Sequence, residues 1–139
     1  MEEYNETQIR YLEAIQAVIS RMASNSFMLK SLTGSIAVAV IAYVGAAASP
    51  SPLLPAASCI SIFTFGLLDA KYLRLERLFR KLFDAVRKGE VTEPFDMNFT
   101  RYNSVVDGHI KTVGSWSVMW FYWSLLIVMV VLFSFLMRG

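Results

Sequence analysis

Few residues in this chain have the means for chemistry, and their spacing keeps them apart. His109 is the only histidine and Cys59 the only cysteine. A metal site needs several nitrogen, sulfur or oxygen ligands at suitable spacing, and no such set is evident, so neither a metal nor a cofactor is expected. No glycine-rich phosphate loop, Ser-His-Asp set or Cys-His pair occurs either. The expectation is a protein that is not an enzyme. Three groups of polar residues remain. Thr33, Ser35, Ser58, Ser61 and Thr64 lie inside apolar runs and are candidates to line a narrow polar path. Lys71, Arg74, Arg77, Arg80 and Lys81 follow those runs and are candidates to meet anionic headgroups or a negatively charged partner, or to form a plain solvated face. Asp69 and Glu76 are candidates for gating. Positions i+3 and i+4 from Asp69 are Tyr72 and Leu73, so no basic residue pairs with it along its own helix. Its plainer role is to mark a water boundary and to meet a basic group on a neighbouring helix.

The elements that carry these residues follow from where charge is missing. Apolar residues make up 55% of the 139, above the roughly 45–50% of soluble domains. No charged residue occurs in residues 31–68 or in residues 112–137. A chain this short cannot build a core large enough to hide both runs. The expected fold is all-α, an integral membrane helical protein. The first run contains Ser49-Pro50-Ser51-Pro52, and proline breaks a helix by removing a donor and clashing one turn back. The run therefore divides into spans at 31–48 and 53–68, with Pro55 tolerated in a first turn. At about 1.5 Å per residue its 38 residues reach about 57 Å, close to two crossings of a roughly 30 Å hydrocarbon core. A third span falls within 112–137. Trp116, Trp120, Tyr122 and Trp123 crowd its first third, as aromatic residues do at the headgroup level.

The remaining segments are amphipathic. Residues 1–29 place Ile9, Leu12, Ile15, Ile19 and Met22 on one helical face, suited to docking on the protein's own polar parts, to a membrane surface or to an oligomer seam. They open with Glu2, Glu3 and Glu6, so no cleavable signal peptide is expected. Residues 69–89 continue a stripe from Leu68 through Tyr72, Leu75, Phe79, Leu82 and Val86. Glu76 with Arg80 and Asp84 with Lys88 form i,i+4 pairs in the favourable order, and Gly89 is a natural stop. This helix is expected to continue from the second span. Residues 69–111 as a whole form a basic helix and linker, with Val105, Val106 and Ile110 in a segment of ambiguous structure. Asn5-Glu6-Thr7 and Asn98-Phe99-Thr100 match glycosylation sequons, attributed to chance.

Net charge is only +2, which gives no argument for nucleic acid, but its distribution is uneven. Twelve of the thirteen Lys and Arg residues fall in residues 1–30, 70–90 and 99–111, which a three-span topology puts on one side. Basic residues are retained in the cytoplasm. The N-terminus is thus expected inside, the hairpin tip and C-terminus outside, in a bacterial inner membrane. The spans hold no acidic or basic residue at mid-depth, which argues against an ion-coupled transporter. Ser35–Ala39 and Ala42–Ala46 are small-xxx-small pairs that let helices approach closely. Three short helices bury little surface alone, so a homo-oligomer is expected.

The segment Arg21-Met22-Ala23-Ser24-Asn25-Ser26-Phe27, the hairpin after it, and Leu68-Asp69-Ala70-Lys71-Tyr72-Leu73-Arg74-Leu75-Glu76-Arg77-Leu78-Phe79-Arg80-Lys81-Leu82-Phe83 resemble a group of small bacterial membrane proteins over nearly the whole chain. Residues 10–88 are also similar in plan to the SLATT class, with an amphipathic helix, two spans and a basic helix. That resemblance implies a membrane-disrupting or pore-forming effector of bacterial antiviral defence, with a cytosolic protein or nucleotide-signal partner. The third span and the lack of a fused sensor depart from the SLATT plan. The competing expectation is a membrane anchor or scaffold that recruits a cytosolic partner through the same helices.

Overall fold

The computed structural model describes residues 5–91 and 93–138. Among them there are four α-helices and a single 3₁₀ turn, with no strand. Helix α1 runs unbroken from Glu6 to Ala46, and α2 from Leu53 to Arg87. A 3₁₀ turn at Phe99–Tyr102 and the short helix α3 (His109–Val113) lead into α4 (Trp116–Leu136). Helices α1, α2 and α4 are each long and apolar enough to cross a membrane.

The division expected near residue 30 is absent. No proline or strong breaker stands there, so the amphipathic segment and the first span form one helix of about 62 Å. It ends at Ala46, two residues before the expected boundary, and residues 47–52 with their two prolines make the turn. Helix α2 likewise joins the second span to the basic segment in one rod of about 52 Å. Helix α4, at about 32 Å, matches the hydrocarbon thickness alone. Residues 112–115, placed in the third span from sequence, belong instead to α3 and the turn after it.

The hairpin of α1 and α2 therefore has two halves. In the polar half, Tyr11, Ile15 and Ile19 of α1 pack on Phe79, Leu82 and Val86 of α2. The buried stripe on α1 is shifted from the expected one: Ile9 is exposed and Tyr11 replaces it. The reason is tertiary: the Tyr11 hydroxyl donates to the Asp96 carbonyl and its ring meets Phe95 at 5.6 Å. On α2 the expected stripe holds for Phe79, Leu82 and Val86 but not for Leu68, which is exposed. Nearer the hairpin turn, α4 packs on a different side of α2, so Ile62 and Ala70 are buried there. Gly66 lets Tyr122 approach α2 closely: a Cβ on it would sit 3.2 Å from Tyr122 Cγ, a tight contact.

Two sequons turn out to cap helical elements. Asn5 Oδ1 accepts from Thr7 N at 3.3 Å, and Asn98 Oδ1 accepts from Thr100 N at 3.2 Å. Each satisfies an otherwise unpaired N–H at an element's start. Gly89 closes α2 with φ +73°, a conformation that costs glycine little. The expected Asp84–Lys88 pair is replaced by Asp84 with Arg87 at 3.7 Å, one residue earlier on the helix surface.

Candidate functional site

Lys30 is the last charged residue before the charge-free run and Asp69 the first after it. Each stands sixteen residues from its end of the hairpin turn, at Ala46 and at Leu53. Two antiparallel helices of equal rise bring such residues to one height, about 24 Å from the turn. The structure joins them: Lys30 Nζ lies 2.5 Å from Asp69 Oδ2. Asp69 is fully buried, while the Lys30 side chain keeps 23% of its surface.

Further groups complete the cluster. Ser26 donates its hydroxyl to Asp69 Oδ1, and Lys30 Nζ donates to Ser26 Oγ at 2.9 Å. Thr33 is fully buried and donates to the Leu29 carbonyl at 2.6 Å. Ser26, Lys30 and Thr33 recur at steps of four and three, which aligns them on one face of α1. Tyr122 enters from α4 with its hydroxyl buried and Thr33 and Asp69 as its polar neighbours. Helices α1, α2 and α4 thus meet around one carboxylate. A buried charge is tolerable only when paired and hydrogen-bonded, and Asp69 has both a cation and a hydroxyl donor. Asp69 is therefore buried within the bundle and meets a basic group, Lys30, on the neighbouring helix.

Sequence reasoning had Asp69 but missed Lys30, Ser26 and Tyr122. The signal for Lys30 was its count from the proline turn, equal to that of Asp69. Tyr122 had no such signal, since its height depends on how α3 seats α4.

The other candidates are dispersed. Thr33 and Ser58 are buried inside the single chain, whereas Ser35 and Thr64 are exposed and Ser61 is half-buried. All five hydroxyls donate to the carbonyl four residues earlier on their own helix, at 2.6–3.3 Å. They do not share a face within one chain. Of the cationic set, Lys71 and Lys81 are exposed. Arg74 instead donates to Asn103 Oδ1 at 3.1 Å and to the Asp107 carbonyl at 3.2 Å. Arg77 pairs with Asp107 at 3.8 Å, and Arg80 pairs with Glu76 at 2.8 Å. Glu76 is thus held by its own helix and does not reach Asp69.

Outside the apolar halves, burial pushes the Tyr11 phenol above its ordinary value, and the Asp96 charge adds to the rise. No group of three or more His, Cys, Asp or Glu residues able to hold a metal ion occurs among the described residues. Scans against protein families, curated proteins and solved structures find no match to this chain.

Proposed function

We propose that this chain is a multi-pass bacterial inner-membrane protein acting, as a homo-oligomer, as a signal-responsive pore-type effector, with a role in antiviral defence as its SLATT-like plan implies. The observation that carries this reading is the Lys30–Asp69 pair on two unbroken helices. Each helix runs from a charged stalk into an apolar span, so displacement of the stalk acts directly on the spans. A buried ion pair at the polar end of the spans is costly to break, because removing either partner leaves an uncompensated charge. The stalk, on the cytoplasmic side, receives a protein or nucleotide-borne signal. It strains the pair, and the spans repack between copies. Exposed Ser35 and Thr64, with half-buried Ser61, supply hydroxyls to a path between copies, while Thr33 and Ser58 stay inside each chain.

The test is membrane potential in cells expressing the chain alone and with its genomic neighbours. Depolarisation under a trigger, made constitutive by Asp69→Asn and reduced by Thr64→Leu, supports the pore. A second reading, an anchor that recruits a cytosolic partner, is favoured by the hydroxyls' bonds to their own helices, which leave the apolar halves sealed. Unchanged potential under every trigger, with a protein retained on the stalk, selects the anchor.

A further inference from the structure

The segment between the 3₁₀ turn and α4 is firmly held yet presents apolar side chains outward. Arg74 grips it twice, at Asn103 and at the Asp107 carbonyl, and Arg77 pairs with the Asp107 carboxylate. Val106 is buried beneath it, and buried Thr112 donates to the Gly108 carbonyl at 3.1 Å. Despite these ties Ile110 is 88% exposed and Val105 63% exposed. Ile110 stands between exposed His109 and Lys111, in the segment of the chain that sequence alone leaves ambiguous.

The height of this segment is defined. Val113 packs against the apolar cluster of the spans, and α4 begins three residues later at Trp116, itself 76% exposed. Lys71 is exposed on α2 beside buried Ala70, which belongs to the same cluster. Apolar side chains, indoles and cations therefore collect at the polar end of the spans. That combination suits the headgroup layer, where aromatic rings sit at the boundary and lysines reach phosphate.

We propose that residues 105–111 are an interfacial foot that seats Val105 and Ile110 at the headgroup–acyl boundary of the inner leaflet, while Lys71 and Lys111 meet anionic phospholipid headgroups. Arg74 and Arg77 position the foot and do not bind lipid. This rests on the membrane placement proposed above. The foot fixes the depth at which α4, and with it Tyr122, stands beside Asp69.

The test uses single-cysteine variants V105C and I110C in a Cys59→Ala background, labelled with an environment-sensitive fluorophore, with V130C on α4 as the depth reference. The full chain is reconstituted in phosphatidylcholine vesicles with and without phosphatidylglycerol. The expected result is blue-shifted emission at 105 and 110, quenched by a shallow spin-labelled lipid and protected from iodide. Phosphatidylglycerol should strengthen that quenching, and K71Q/K111Q should abolish the gain. Iodide access at 105 and 110 with V130C protected overturns the foot alone. Iodide access at all three sites overturns the membrane placement as well. Cross-linking of two I110C chains assigns the face to a second copy and also overturns the proposal, as does a lipid response untouched by K71Q/K111Q.

Discussion

Between Tyr11 and Ile19, α1 meets α2 through apolar side chains. Between Ser26 and Thr33 it meets the same helix through an ammonium, a carboxylate and hydroxyls. The difference fits the two solvents that the proposed membrane placement gives the two halves. In water, burying Ile15 against Leu82 is favourable because apolar surface leaves water. In lipid that drive is gone, since the tails are as apolar as the side chains, and association falls to polar pairs and close packing. Accordingly the membrane-length half uses Lys30–Asp69 and the Gly66–Tyr122 approach.

Breaking one partner of the polar contact should have the largest effect. Asp69→Ala leaves Lys30 without its counter-charge, and a loss of about 3–5 kcal/mol is expected. Denaturant titration of helicity in detergent measures it. The double variant K30M/D69L should recover most of the loss, which separates a need for the pair from a need for either residue. Retained stability in Asp69→Ala would remove the basis for the comparison.

Cavities in the stalk come next. Ile15→Ala or Leu82→Ala should cost about 2–5 kcal/mol. Protease should then cut the stalk faster while α4 stays protected. Gly66→Ala probes the other device of the apolar half. Its Cβ would press on Tyr122 at 3.2 Å, and overpacking of up to about 3 kcal/mol is offset by the roughly 1 kcal/mol that alanine gains over glycine inside a helix. A Tyr122→Ala partner change should relieve that cost in a double-mutant cycle.

The smallest effect belongs to Tyr11→Phe. It removes one hydrogen bond, worth about 0.5–1.5 kcal/mol. Because the folded-state value of Tyr11 is raised, its stabilisation is fully present below the unfolded value of about 10. It fades as pH rises through the higher folded value. The stability difference between wild type and Tyr11→Phe should therefore narrow above about pH 10.

Charge placement, proline and glycine marked the three apolar helices, the break at residues 49–52, the stop at Gly89 and the Glu76–Arg80 pair. These are decided by local backbone rules and by what a long charge-free run can do, and both act within a few residues. Three things required the folded chain. The loss of a boundary near residue 30 depended on nothing interrupting α1, and packing against α2 rewards the continuous rod. The arrangement around Asp69 depended on three helices at one height, where only Lys30 was countable from the turn. The tying of Arg74 and Arg77 to residues 103–107 turned basic residues from headgroup candidates into clamps, because a guanidinium's partners are chosen by what the tertiary fold brings within reach.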